Sequence, residues 1–338
     1  MAIRKHAGLI ATSVVALTAL AVGGGAVAQA PHARTTPKPV RTYQDLERET
    51  GLKTPAGLAF GRMAVDVAGK DWPDTVSFRC YSNGGHVESG LKAPPATKVF
   101  DNVYYLGDAD VSSWAIKTSQ GIILIDALTT EADAQRLVVD GLRSVGLDAR
   151  DIRYILVTHE HFDHFGGASL LKRLSGAKIG MSEVAWQGLA RQKAKEGSPI
   201  PERDLVLEDG AKIMLGDTSV TAVLTPGHTP GTMSFIYPAR LNGVEHMAAT
   251  WGGNGFPSAI KDRFTFLESI EHFAGYTAKA GVDVELSIHG DNDDLIGRLE
   301  RLRAGKGNSF VAGRERYLRF EEVYRLCSRA RMADRGDF

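Results

Sequence analysis

The segment YILVTHEHFDHFGG, residues 154–167, sets three histidines and an aspartate within six positions directly after an apolar run, in a chain with only 10 His in 338 residues. The run Tyr154 to Val157 reads as a buried strand, so His159, His161, Asp163 and His164 fall on a loop at its carboxyl end. A strand fixes where such a loop begins, and Gly166 and Gly167 let the backbone turn tightly. Side chains at alternate positions then diverge toward two neighbouring points. Neutral imidazole and carboxylate suit zinc, and a catalytic zinc keeps three protein ligands plus a water. Two such sites need six ligands, and the loop supplies four. The missing pair is expected at other strand ends: LTPGHTPG offers His228 and LSIHGD offers His289. His6, His32, His86, His246 and His272 lack that context and read as surface or core residues.

The rest of the chain supports a globular enzyme-sized protein of mixed strands and helices, an α+β class. Short branched and aromatic runs such as KVFDNVYYLG, SSWAIKTSQGIILIDA and SVTAVLTPGHTPGTMSFIYP read as strands. EADAQRLVVDGLRSVG and DRFTFLESIEHFAGYTAKAG carry helical spacing, LVLEDGAKIML carries an Asp-Gly hairpin signal, and a charged helical tail is expected from about 312 to 332. Residues 1–30 have the layout of a secretory signal peptide, with Arg4 and Lys5, an apolar stretch and AVAQA before the expected cleavage point. Residues 31–96 read as a Pro/Thr-rich linker and an extension of weak periodicity, and 97–338 as the main domain with its C-terminal helix. This layout implies a periplasmic or secreted protein with no membrane association after cleavage. Equal numbers of basic and acidic residues, 40 each, leave no basic field for nucleic acid. Two cysteines, Cys80 and Cys327, are too few for a disulfide framework, and the sequence leaves open whether they pair.

THEHFDHFGG, TPGHTPGTMSF and SIHGD, with GIILIDA upstream, resemble the metallo-β-lactamase superfamily over roughly Val99 to Arg303. The resemblance implies an αββα sandwich with a metal site at one edge. It assigns His159, His161 and His228 to one zinc and Asp163, His164 and His289 to a second, with Asp126 orienting the ligand loop and Asp163 also catalytic. Many hydrolases of this superfamily place a metal-bridging Asp after the strand that follows the GHT motif; here Thr250 and Trp251 stand there. That departure is most similar to the secreted di-zinc lactamase subclass with His/His/His and Asp/His/His sites. The implied function is a zinc-dependent hydrolase that opens a small-molecule cyclic amide by attack of a zinc-bound hydroxide. A lactone or ester hydrolase and a non-catalytic metal-binding protein are the alternatives. Trp251, Asn254 and Phe256, in TWGGNGFP, are candidates for the substrate rim, and residues 184–204 for a cover over the cleft.

Overall fold

The computed structural model describes Ala2 and residues 38–81, 92–290 and 292–338. The expected signal peptide, apart from Ala2, and most of the linker lie outside the described residues, as do His32 and His86. Two sheets carry the chain. The first, in the order β1 to β7, comprises β1 (Thr97–Lys98), β2 (Val103–Tyr105), β3 (Trp114–Thr118), β4 (Gly121–Ile125), β5 (Ile152–Leu156), β6 (Lys178–Ser182) and β7 (Leu205–Leu207). Its first four strands pair antiparallel and its last four parallel. The second sheet, ordered β12-β11-β10-β9-β8, comprises β8 (Lys212–Leu215), β9 (Thr218–Leu224), β10 (Met233–Leu241), β11 (Val244–Thr250) and β12 (Val284–Glu285).

The helices are α1 (Tyr43–Glu49), α2 (Pro55–Ala68), α3 (Pro73–Arg79), α4 (Glu131–Asp133), α5 (Asp140–Ser144), α6 (Phe162–Phe165), α7 (Ala168–Ser175), α8 (Glu183–Ala190), α9 (Ile260–Ala280), α10 (Leu295–Arg303) and α11 (Arg314–Asp334). A π-helical turn, Ala134–Val139, joins α4 to α5.

Strand β4 shows why the layers stack as they do. Side chains alternate across a strand, so a run that is apolar at every position must be covered on both faces. Ile122 and Leu124 pack with Leu137, Val138, Leu142 and Leu171 of the helices outside the first sheet. Ile123 and Ile125 pack with Val220, Phe235 and Tyr237 of the second sheet. The outer face of the second sheet presents Val223, Ile236 and Ala249 to Phe266, Ile270 and Phe273, which recur at helical spacing on α9, and to Tyr317, Phe320 and Tyr324 of α11. Each such side chain contributes roughly 1.5–3 kcal/mol on burial. The result is an αββα sandwich with a C-terminal helix, as the resemblance implied.

Two features differ from the sequence reading. The extension, weakly periodic in sequence, carries three helices, α1 to α3: α1 begins with a capping box at Thr42 and Asp45, and Thr54 caps α2. The spacing of Gly57 and Gly61 hides this helix from a periodicity argument, because both serve close approach. A Cβ on Gly57 would lie 2.9 Å from the Cβ of Asp334. These helices share a core with α11, and Cys80 is disulfide-bonded to Cys327. Asp209-Gly210 is not the turn of a hairpin. β7 pairs with β6 in the first sheet and β8 with β9 in the second, so the turn carries the chain between sheets. Asp209 Oδ1 and the Gly210 N–H instead bond to the second-sheet residues Leu224 and Ala222.

Candidate metal centre

The parallel pairing of β4 and β5 sets Ile125 beside Leu156, so the two chains leave the sheet together. Asp126 follows the first and Thr158-His159 the second. Asp126 adopts φ 58°, a conformation that Asp tolerates better than most residues. Its carboxylate turns under the ligand loop: Oδ1 accepts from the Thr158 N–H at 2.8 Å, and Oδ2 from the Thr158 hydroxyl at 2.9 Å and from His164 Nδ1 at 2.8 Å. The loop is pressed tightly onto the sheet end. A Cβ on Gly166 would lie 1.8 Å from the carbonyl oxygen of Thr129, so only glycine fits.

Those bonds settle which ring nitrogens are bare. Thr158 spends its proton on Asp126, so its oxygen accepts from His159 Nδ1 at 3.0 Å, leaving Nε2 with a lone pair. His228 Nδ1 donates to the Gly255 carbonyl at 2.7 Å, and His289 Nδ1 donates to that of Asp110 at 2.8 Å. The bare nitrogens of His159 and His228 converge with a ring nitrogen of His161. His159 Nε2, His161 Nδ1 and His228 Nε2 lie 3.1 Å from one another, with at most one proton among the three. Burial, reinforced by the neighbouring rings, lowers the pKa of His159 well below its ordinary value and that of His228 to about 3; burial also lowers His161. All three are therefore neutral ligands in waiting.

A second group, Asp163, His164 and His289, brings its ligand atoms within 4.8 Å of one another. His164 Nε2 is buried without a hydrogen bond among the described residues, and Asp163 Oδ2 stands 3.3 Å from it. Burial alone would lower the His164 pKa, but Asp163 and Asp126 outweigh it and push it up to about 10. This position demands positive charge, which a cation supplies. In Asp163, burial raises the pKa, but His164, His289 and His159 together outweigh it and hold the carboxyl well below the usual range. The six residues therefore fit two metal ions, each through three side chains, and His159, His164, His228 and His289 have the outward hydrogen bonds that fix ring orientation in metal sites.

The two groups border one cavity of about 400 Å³, also walled by Phe78, Tyr81, Asn254 and Phe256. Asn254 and Phe256 thus line the cleft as expected, but Trp251 does not. It is 8% exposed and packs among Phe266, Phe273 and Tyr324, its indole N–H donating to the Gly253 carbonyl. The chain turns at Gly252 and Gly253, which sends the indole into the α9–α11 layer. Thr250 is fully buried and bonds Tyr237, so neither residue offers a carboxylate between the metal groups. Residues 184–204 are absent from the described wall of the cavity. They buttress the ligand loop from behind, with Gln192 donating to the Glu160 carbonyl and Lys195 over the Phe162 ring. His246 and His272 pair with Asp283 and Asp209, apart from both metal groups.

Sequence reasoning missed Phe78, Tyr81 and Arg331, which reach the cavity from α3, the residues after it, and α11. No local motif marks them. The one available signal was the cysteine pair, since Cys80 and Cys327 tie those same segments together.

Residues 106–240 match the sequence profile of the metallo-beta-lactamase superfamily. Hydroxyacylglutathione hydrolase of Pseudomonas aeruginosa strain LESB58 is 40% identical over 86 residues, 25% of this chain and 28% of that protein. The same-named protein of Pseudomonas fluorescens strain SBW25 is 28% identical over 157 residues, 44% of this chain and 56% of the relative. The chain thus spans between about a quarter and a half of the length of these curated relatives. Among solved structures the likeness is broader. The metallo-beta-lactamase MIM-1 from Novosphingobium pentaromativorans shares 26% identity at a TM-score of 0.60, covering 76% of this chain and 96% of that one. The subclass B3 metallo-beta-lactamase BJP-1 of Bradyrhizobium japonicum shares 25% at a TM-score of 0.55, covering 68% and 90%. With the sandwich, the ligand loop and these likenesses in agreement, residues 106–240 form a metallo-beta-lactamase superfamily domain, and the chain has B3 metallo-beta-lactamases among its structural neighbours.

Proposed function

We propose that this chain is an exported, zinc-dependent hydrolase that opens a cyclic amide of β-lactam type. The observation that carries the reading is the pair of donor groups on one cavity, three neutral imidazoles beside a carboxylate and two imidazoles, with no carboxylate between them among the described residues. Zinc, when bound, supplies Lewis acidity and lowers the pKa of a coordinated water to about 7, so no Ser or Cys nucleophile is required. His159, His161 and His228 would hold one ion and Asp163, His164 and His289 the other. Asp163, kept ionised beside His164, accepts a hydrogen bond from a water at the carboxylate and so orients it. Asp126 keeps His164 and the loop in register, and Phe78 and Phe256 keep bulk water from the reacting carbonyl.

A donor set without a shared carboxylate leaves the second group less neutralised, which suits a nitrogen leaving group that departs with more negative charge than an alkoxide. This favours an amide over a lactone. The similarity to hydroxyacylglutathione hydrolases supports a thioester or ester as the second reading, but it is confined to part of either chain. The export proposal rests on the apolar leader and AVAQA, and the disulfide is consistent with an oxidising compartment.

Purified protein should carry two zinc ions per chain by metal analysis, and His161→Ala should lose one of them with nearly all activity. A panel of a β-lactam, a lactone and a thioester of similar size should show preference for the lactam; turnover of the lactone or thioester alone overturns the reading. Mass spectrometry of exported protein should find a chain beginning between Gln29 and His32, and an intact Met1 terminus would defeat the export proposal.

A further inference from the structure

Arg331 borders the same cavity as the metal groups, yet it comes from α11, beyond the span matched to the family. It is 6% exposed, and its Nε and Nη2 are buried with no hydrogen-bond partner among the described residues. A buried guanidinium with unmet donors is costly to keep, and a purely structural arginine would be paired. Its orientation is held by other means. The guanidinium stacks 4.3 Å from the ring centroid of Phe256, a contact that uses the flat face and leaves the N–H edge unspent. Asn254, also lining the cavity and 6% exposed, has a buried Nδ2 with no partner. Its orientation is set, because its Oδ1 accepts from Arg79 Nη2 at 2.5 Å and its carbonyl from Arg79 Nη1 at 2.8 Å.

The charges nearest these donors are mostly positive. Arg79 is buried and gives its hydrogen bonds to Asn254 and Asn292, while Glu285 offsets its charge in part without bonding it. Arg263, nearby, is already neutralised by Asp337. Burial, with Arg335 and Arg79 close by, lowers the Arg331 pKa to about 9, which still leaves it cationic at neutral pH.

We propose that Arg331, with Asn254 beside it, is the specificity residue that binds a carboxylate carried by the substrate, so that this enzyme selects anionic cyclic amides over neutral ones. The inference rests on the hydrolase reading for its substrate but on the unpaired donors for its anion. Arg331 positions substrate and takes no part in bond breaking.

The test compares a penam carboxylic acid with its methyl ester in zinc-loaded wild type, Arg331→Met and Arg331→Lys, with metal content checked in each. A hydrogen-bonded charge pair is worth about 10- to 100-fold. The ratio of kcat/KM for acid over ester should therefore fall by that factor in Arg331→Met, through KM, and recover in part in Arg331→Lys. Calorimetric titration with benzoate forms a second arm, in which Arg331→Met should bind about 10-fold more weakly than wild type. Any zinc-bound benzoate is common to both proteins, so the difference reports Arg331. This arm decides the proposal even if neither penam is turned over, a result that would sink the lactam reading alone. The Tm of Arg331→Met should stay level or rise, because an unpaired buried charge has been removed. An unchanged acid-to-ester ratio together with unchanged benzoate affinity overturns the proposal, as does a sharp fall in Tm, which would mark Arg331 as structural.

Discussion

Asp126 Oδ2 and His164 Nδ1 lie 2.8 Å apart with both side chains fully buried, joining the end of one strand to a metal-ligand candidate on the loop after its neighbour. The same carboxylate holds both the N–H and the hydroxyl of Thr158, and Thr158 in turn orients His159. One side chain therefore sets the aim of a ligand candidate in each metal group.

Substituting Asp126→Asn tests this coupling with little change of shape, and Asn tolerates the positive φ at this position. All three neighbours donate to Asp126, so an amide must turn a donor toward another donor. Zinc affinity should fall about 10- to 100-fold, as for other groups that orient metal ligands, measured by competition with a chelator. Unaltered affinity would show that the loop aims itself.

The loop's contact with Thr129 gives a second expectation. Gly166→Ala would force a Cβ into a backbone carbonyl at 1.8 Å, so the ligand loop must lift. Metal analysis should find both ions depleted, or the protein insoluble. Gly176→Ala is the matched control. It has φ 72° but open space around it, so it should cost only about 1–2 kcal/mol in strain and leave the metal content intact.

The metal groups were legible because their chemistry is local. His159, His161, Asp163 and His164 follow one apolar strand, and His228 and His289 each follow another, so strand ends alone point all six toward one edge. Trp251 was misplaced by the same logic, since it too follows a strand; the turn at Gly252 and Gly253 sends its indole into the helical layer, which no spacing reveals. Arg79 and Arg331 could not be read at all. Their relation exists only after α3 and α11 pack, and a cysteine separation of 247 residues says nothing about which side chains face the cavity. The Asp-Gly turn at 209–210 misled because a turn signal fixes a reversal of the chain, not which sheet receives it.

Glu321, on α11, carries a pH expectation. It is partly buried and accepts from Thr277 at 2.6 Å, and burial, the largest influence, pushes its pKa up to about 7. An acid whose folded pKa exceeds its unfolded value keeps its proton longer in the native state. Its stabilising contribution is complete below about pH 4.5 and is lost as pH rises to 7. Glu321→Gln should remove that loss, flattening the fall in stability between pH 5 and 8 by on the order of 1–3 kcal/mol. Denaturant titrations of both proteins at the two pH values check the difference. A variant whose stability falls as steeply as wild type assigns the burial cost elsewhere.

The Cys80–Cys327 disulfide should matter to both stability and selectivity. Cys80 directly follows Arg79, and Cys327 stands one helical turn before Arg331 on α11, so the bond clasps the two segments that bring buried guanidinium groups to the cavity region. Closing so long a loop restrains the unfolded chain by about 5 kcal/mol in the chain-entropy description, an upper figure because denatured chains retain structure. The remaining α2–α11 packing, with Asp334 Oδ1 accepting from the N–H groups of Lys53 and Thr54, should still hold the helices together once the bond is gone. The paired Cys80→Ser and Cys327→Ser variant should therefore fold with a lowered Tm, keep both metals, and lose part of its discrimination between an anionic lactam and its ester. Metal is expected to stay because none of the six ligand candidates lies on α3 or α11. Loss of zinc along with the disulfide would show that the helical layer supports the metal groups directly, and an unchanged Tm would show that the bond restrains nothing the packing does not already hold.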